Sequence, residues 1–474
     1  MTPLATPLVT VVIVNWNGAR LLPDCLDALA KQDLPFGPSP SGSDHRVRRG
    51  PDDWYEVWMV DNASADDSVE LVERDFPWVR VLRNARNDGF AGGNNVALRE
   101  VRSEYVALCN SDARPAPDWL RNLLAPFSSP GQERLGATTA KILFLPRFLP
   151  LALETDEFVP GGLDGRSLGV RMHRVLVDGQ DVTEEVLWDR AAYGPEGVGD
   201  ARFRWTRASG DLLVPVDANG RASVTLTLRL AAERAKPVRL RWPGGLVELA
   251  AGPEPAEVSA ELPLVPDDGG VGLVDVINSV GSVVFTDGYG GDRAYQELDL
   301  GQFDRPEEVF AVCGAACAFR TEALAEAGFF DDDFFLYYED TDLSWRLQRL
   351  GWRIRYEPTA VVRHIHAASS TEWSPLFTFH VDRNRLLMLA KNARPGLAAR
   401  EAARYPLTTA SLAVRHLAQA RHTRRRPPVR PTLLRLRVIG SYLRLLGPVL
   451  ARRRRLASRD QVAASRLQRW FIVR

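Results

Sequence analysis

Four cysteines in 474 residues, Cys25, Cys109, Cys313 and Cys317, are too few for the disulfide framework of a secreted protein. A reducing compartment is therefore expected. No uncharged window reaches the roughly 18 residues that a membrane-spanning helix needs. The opening MTPLATPLVTVVIVNWNG has no basic leader and only one strand's length of apolar residues, so no signal peptide is expected. Acid is nearly missing from the end of the chain: from Arg415 onward there are 17 arginines and one acidic residue, Asp460. The 43 basic and 59 acidic residues before Arg415 leave a net charge of −16 there, so the formal charge of zero conceals an acidic body and a basic tail. With 45% hydrophobic and 25% charged residues the bulk has the composition of a globular protein, and its length predicts two or three folded units.

The first 112 residues repeat one pattern, an apolar β-branched strand that ends in polar residues before a helix. Residues 8–14 end in Asn15, Trp16, Asn17 and Gly18, and residues 55–60 end in Asp61, Asn62, Ala63 and Ser64. Residues 79–83 lead into NDGFAGGNN at 87–95, and residues 105–108 deliver Cys109, Asn110, Ser111 and Asp112. Continuous apolar strands belong to a parallel sheet covered on both faces, whose ligands gather at the strands' carboxyl ends. Gly89, Gly92 and Gly93 would let backbone approach a ligand, with Asn94 and Asn95 offering amides at the next helix. No lysine follows these glycines, which excludes a Walker loop. Asp61 suits a ribose or base, although DNAS is also a good turn and helix cap. The polar and acidic ending at Asn110 and Asp112 suits a hard divalent cation bridging a carboxylate to a diphosphate. Residues 33–53, rich in Pro, Gly, Ser and Arg, read as a surface loop.

Residues 310–370 hold an apolar strand, an acidic turn, an amphipathic helix and a strand bearing His364 and His366. Leu343, Leu347 and Leu350 recur at helical spacing after Glu339, Asp340 and Asp342, and Gly351 stops the helix. Asp340, at the helix start, is the first candidate for a general base. The plainer reading of the same acids is as first-turn charges, with Asp342 paired to Arg346.

The order VVIVNWNG, VDNASADDS, NDGFAGGNN, CNSDA, ACAFR, GFFDDDFFLYYEDTDLSWRLQRLGW and a late His resembles the inverting glycosyltransferases of family 2, and within them the rhamnosyltransferase-like bacterial cell-envelope enzymes. The resemblance covers residues 8–146 and 275–395. It implies a GT-A fold, a nucleoside-diphosphate sugar donor and a glycan or polyprenyl-linked acceptor, with rhamnose or another hexose transferred. Val14, Asn15, Asn17, Asp61, Asn62, Gly89, Phe90, Asn94, Asn95 and Asn110 fall on its donor-binding positions. Asp112 and His364 fall on its Mg²⁺ or Mn²⁺ ligands, and Asp340, with Glu339 beside it, on its catalytic acids. Asn110 replaces the first acid of the family's metal motif, so modest cation affinity is expected, and His366 is a substitute for His364. Cys313 and Cys317 are expected to be core residues, since a hard cation disfavours thiolate.

Short alternating runs between 147 and 272 predict an inserted antiparallel sandwich or jelly roll. The expected order is thus a first GT-A part at 1–146, the insert at 147–272, a second GT-A part at 273–395 and a basic helical tail at 396–474. The tail suits an anionic membrane surface, with Leu433, Leu436, Tyr442, Leu443 and Leu446 inserted, and places the protein in the cytoplasm on the inner face of the cell membrane. No nucleic-acid partner is expected. The alternative is a transferase-like carbohydrate-binding or scaffold protein in which Asn110 marks lost catalysis.

Overall fold

The computed structural model describes residues 6–34, 54–161, 164–188, 191–197, 199–217, 222–264, 272–365, 374–424 and 426–473. Most of the loop expected at 33–53, and His366, lie outside them. Two units emerge: residues 1–143, 277–295 and 301–474 form the first, and residues 144–276 with 296–300 the second.

The first unit is built on one sheet. Strands β1 (Val9–Asn15), β2 (Tyr55–Asp61), β3 (Val79–Arg83) and β4 (Tyr105–Cys109) run parallel, joined by α1 (Leu22–Ala30), α2 (Ser68–Asp75) and α3 (Gly89–Leu98). Their β-branched and aliphatic side chains fill cores on both faces, which is why they read as continuous apolar runs. β1 pairs with β2 on one side and β4 on the other, so the strand order reverses there, the position at whose carboxyl ends such sheets bind ligands. Beyond β4 the sheet turns antiparallel, through Ala316–Arg320 to β6 (Leu135–Phe144) and the long strand Arg353–His364. The short strand β5 (Ala113–Pro115) pairs with the end of that long strand, Ala113 opposite His364.

The helices α4 (Trp119–Leu124), α5 (Thr321–Ala327) and α6 (Glu339–Arg349) lie between strands of this sheet, and after its last strand the chain is helical, through α7 (Pro375–Asn392), α8 (Pro395–Thr423) and α9 (Val429–Ala457). The tail packs into the first unit, because Val438, Tyr442, Val449 and Leu467 join Phe310, Phe334 and Trp345 in one buried cluster. Tyr442 and Leu446, expected to face lipid, therefore turn toward protein. Arg349 pairs with Asp460, and Arg452 with Asp331 and Asp333. No described helix is long and apolar enough to cross a membrane.

The second unit has two antiparallel sheets around one core. One sheet orders Ala192–Glu196, Phe203–Thr206, Arg171–Val177, Ser223–Ala231 and Ala256–Pro263; the other orders Ser209–Val216, Arg147–Thr155, Lys236–Trp242 and Gly245–Ala251. Val224, Leu226, Leu228 and Leu230 from the first meet Leu149, Leu151 and Leu153 from the second. Arg147–Thr155 is a strand that the alternation did not reveal: its run of Phe148, Leu149, Leu151 and Leu153 is broken by Pro150, yet it pairs with strands on both sides.

Candidate active site

Parallel register sets Asn15 beside Asp61 at the ends of β1 and β2. Asn15 Nδ2 donates to Asp61 Oδ1 at 3.0 Å and to Ser64 Oγ at 3.1 Å, while Ser64 donates its hydroxyl to Asp61 Oδ1 at 2.6 Å and its backbone N–H to Asp61 Oδ2 at 3.1 Å. Asn17 adopts φ 53°, donates its N–H to Ser64 Oγ at 2.8 Å and accepts from the Ala65 N–H at 2.7 Å. Asn15, Asn17 and Asp61 thus share one network through Ser64, a residue that sequence reasoning passed over as part of a turn. Asn15 Oδ1 is buried without a protein partner, an acceptor available to a ligand's donor.

The glycine-rich segment serves packing more than ligand approach. Gly89 has φ +70°, and a Cβ there would lie 2.3 Å from the Phe335 carbonyl oxygen. The Ala91 N–H already donates to that oxygen at 3.2 Å, so part of the helix's amino end is taken by protein. A Cβ on Gly93 would meet Val14 at 2.7 Å and Asn62 at 2.8 Å. Asn62 holds the Gly89 carbonyl and accepts from Asn84, and Asn94 donates to the Phe90 carbonyl one turn back. Phe90 packs edge-on to Phe330 at 6.0 Å. Asn95 Nδ2 donates to the Phe330 carbonyl and to Asp332, and its Oδ1 accepts from the Phe330 N–H, so it fastens residues 330–332.

Asn110, Asp112 and His364 do meet. His364 Nε2 lies 3.1 Å from Asp112 Oδ1 and 3.3 Å from Asn110 Nδ2. On the other side of the ring, His364 Nδ1 lies 3.0 Å from Asn278 Oδ1. An amide oxygen only accepts, so Nδ1 carries a proton, and Nε2 faces Asp112 Oδ1, where it donates if protonated and offers a lone pair to a cation if not. Two acceptor atoms converging at that distance fit a cation between them, with Asn278 as the outer partner that sets the tautomer. Among the described residues no three His, Cys, Asp or Glu side chains cluster to hold an ion. Asn278 was missed, although it lies in VINSVGS, the stretch that resumes the family pattern.

Asp340 occupies the first turn of α6. Its Oδ2 accepts the Gly314 N–H at 3.0 Å, and its Oδ1 accepts from the N–H and hydroxyl of Thr341. Gly314 adjoins Ala315, whose carbonyl accepts the Asn110 N–H at 3.0 Å, so one loop touches both the acid and the Asp112 group. Burial raises the Asp340 carboxyl above its ordinary range, with the nearby Asp292 adding to the shift. Glu339 is buried where Asp340 is partly exposed. Burial lifts Glu339 still further, then repulsion from Asp340, and its Oε2 has no protein partner. The two acids thus differ in setting, Glu339 being enclosed and Asp340 the less buried of the pair. Asp342 takes neither role: it is buried in contact with Arg346, Lys391 and Asn392.

The chain that delivers Asp340 is strained. Phe329, Phe335, Tyr337 and Tyr338 have φ of 56°, 65°, 69° and 69°, a region that side chains other than glycine rarely occupy. Asn384 of α7, fully buried, donates to the carbonyls of Phe334, Leu336 and Tyr337, each at 2.8 Å. Arg383 adds bonds to the carbonyls of Asp333 and Phe334. The only advance signal for Asn384 was a polar residue amid the aliphatic side chains of VDRNRLLML. His380 stacks on Phe335 at 5.1 Å, and burial, helped by Arg383, lowers its pKa to about 4.

Cys25 and Cys109 are buried free thiols 4.0 Å apart, Cys317 is in the core and Cys313 is packed against it.

The profile of Glycosyl transferase family 2 matches residues 10–141, and that of Glycosyl transferase family group 2 matches residues 271–378. A pre-mycofactocin glycosyltransferase of Mycobacterium tuberculosis is 35% identical over 117 residues, covering 22% of this chain and 25% of the relative. An N-acetylglucosaminyl-diphospho-decaprenol L-rhamnosyltransferase of the same organism is 39% identical over 82 residues, covering 17% of this chain and 26% of the relative. The match thus spans about a quarter of either relative. The solved mannosyltransferase PcManGT of Pyrobaculum calidifontis, in complex with GDP-Man and Mn²⁺, superposes with a TM-score of 0.38 at 15% identity, covering 94% of this chain and 88% of that one.

Proposed function

We propose, from the premise that this chain belongs to glycosyltransferase family 2, that it is an inverting GT-A transferase moving a sugar, rhamnose or another hexose, from a nucleoside diphosphate to a hydroxyl of a cell-envelope or lipid-linked glycan. The observation that carries the reading is the Asp340 carboxylate, partly exposed, oriented by the Gly314 N–H and joined through the 313–315 loop to the Asn110, Asp112 and His364 group. An acid raised by burial is a better proton acceptor near neutral pH than an ordinary carboxylate. Asp340 takes the proton of the acceptor hydroxyl as its oxygen attacks the anomeric carbon, and the nucleoside diphosphate leaves from the opposite face. One displacement inverts the configuration. Asn15, Asn17 and Asp61 line the nucleoside end. Asp112 Oδ1 and His364 Nε2 would hold a Mg²⁺ or Mn²⁺ ion, with Asn278 fixing the ring. Such an ion, when bound, counters the charge that grows on the departing diphosphate.

The protein acts at the inner face of the cell membrane, with a glycan or polyprenyl-linked acceptor and no nucleic acid. Titration calorimetry with UDP, dTDP and GDP tests the donor side. Binding of one of them is expected only with Mg²⁺ or Mn²⁺ and is expected to weaken in Asp112→Ala. Equal, metal-independent affinity in both proteins would overturn the metal assignment, and binding without turnover of any sugar donor would favour a carbohydrate-binding scaffold.

A further inference from the structure

Helix α9 has two apolar faces. One, carrying Val438, Tyr442 and Val449, is buried against the first unit. The other carries Val429, Leu433, Leu436 and Leu443, and all four are between 52% and 60% exposed. With Gly440, Gly447 and Leu450 these residues follow one another in alternating steps of four and three, a straight stripe opposite the buried face. α8 repeats the arrangement, with Tyr405 and Thr409 inward and Leu407, Val414 and Leu417 outward. Isolated exposed leucines are ordinary, but a stripe along a 29-residue helix, roughly 43 Å at 1.5 Å per residue, is not.

Charge decides what covers it. No Asp or Glu occurs from Ala402 to Arg459. Arg430, Arg437 and Arg444, seven residues apart and exposed, border one side of the stripe. A second copy seated on this face would set arginine against arginine with no acid on either helix. A nucleic acid would account for the arginines and leave the leucines unexplained. We propose that the outward face of α8 and α9 docks on an anionic lipid bilayer, with the leucines entering the interface and the arginines meeting lipid phosphates. Neither helix is apolar enough to cross a membrane. The face adjoins the acceptor side of the site: Arg437 lies 5.9 Å over the Phe379 ring of α7, and Phe379 contacts His380, which stacks on Phe335. A lipid-linked hydroxyl would thus arrive along the edge of α7. This deepens the transferase reading by naming the docking face, and docking itself does not depend on catalysis.

Co-sedimentation of the full chain with phosphatidylcholine vesicles, with and without phosphatidylglycerol, tests it at salt of about 0.1 M and at several times that. Wild type is expected to sediment with the anionic vesicles. Leu433→Asp, Leu436→Asp and Leu443→Asp together should lose about tenfold per leucine. Arg430→Gln, Arg437→Gln and Arg444→Gln should lose about fivefold per arginine at low salt and nothing on neutral vesicles. Unchanged thermal melts and nucleoside-diphosphate binding show that the variants fold, and single Leu433→Asp serves if the triple variant does not. Wild type that ignores anionic lipid, or leucine variants that sediment like wild type, would overturn the proposal. A wild-type dimer that the leucine variant splits in light scattering would hand the face to a second copy. Vesicle binding with no nucleoside-diphosphate binding would retain the docking face and reject the transferase reading.

Discussion

At the carboxyl ends of β1 and β2 the polar side chains close on partners that the parallel strands bring alongside, Asn15 with Asp61 and Asn17 with the Ser64 turn. The segment carrying Asp340 is different, with four aromatic residues at positive φ held by Asn95, Arg383 and Asn384 from helices outside it. One half of the site is assembled by strand register, the other by clamps. Strain of about 1–3 kcal/mol per residue persists only where surroundings impose it, so the Asp340 half should be the more sensitive to changes far from the chemistry.

The largest expected contrast comes from removing residues 432–474. Val438, Tyr442, Val449 and Leu456 are buried, and at about 1.5–3 kcal/mol for each buried side chain their loss approaches a typical total stability. Three of the four pack in the cluster that holds Phe334 and Tyr338. Hydrogen exchange should show residues 329–350 losing protection while β1 and β2 keep more of theirs; equal loss in both halves would break the comparison.

Asp340→Asn should lower kcat by about 10²- to 10⁴-fold with donor affinity nearly unchanged, because the amide keeps the shape but cannot accept the hydroxyl proton. Steady-state kinetics with the true acceptor check this, and near-normal turnover would remove Asp340 from the mechanism.

Asn384→Leu leaves three inward carbonyls without their donor, at a cost of about 1–3 kcal/mol for each one that finds no substitute. Thermal melts should fall, and kcat should fall more than donor affinity does. A variant that loses donor affinity instead would show that the two halves are not separately held.

Asn278→Leu removes the partner of His364 Nδ1 and should weaken Mn²⁺ binding in the nucleotide complex by about 10- to 100-fold, read from the Mn²⁺ resonance signal and not from turnover. Unchanged Mn²⁺ affinity would exclude Asn278 as the orienting residue.

The smallest effect is expected for Glu339→Gln, and it depends on pH. Burial raises the folded-state pKa of Glu339 above the unfolded value, so folding favours its protonated form, and the stability this supplies is complete below the unfolded pKa and lost as pH rises through the folded one. Wild type should lose stability across that rise, whereas the glutamine variant, which has no proton to release there, should show a flatter profile. Parallel melting curves across pH would show that Glu339 is not protonated in the folded protein.

Much of the half around Asn15 and Asp61 was legible because its information is local. The run at residues 8–14 becomes Val9–Asn15 and the run at 55–60 becomes Tyr55–Asp61, since continuous β-branched residues ended by polar ones have few other ways to fold. The same locality left NDGFAGGNN open, since glycines beside asparagines suggest a close neighbour without saying whether it is ligand or protein, and Gly89 and Gly93 lie against Phe335 and Val14. The tail's helices and its charge were also written in order along the chain. Which of its leucines meet protein was not, because α9 is apolar on both sides and periodicity cannot say which face a neighbour covers.

Taken alone, then, residue order determined what depends on near neighbours: the parallel strands, the acids at the start of α6, the divide between acidic body and basic tail. Tertiary structure decided what depends on residues far apart in the chain. It brought Asn278 to His364 across 86 residues and Asn384 to Phe334 across 50. It enclosed Glu339 while leaving Asp340 partly open. Burial and hydrogen-bond geometry are properties of the packed chain, and no spacing of residue types encodes which of two adjacent carboxyls the solvent will reach.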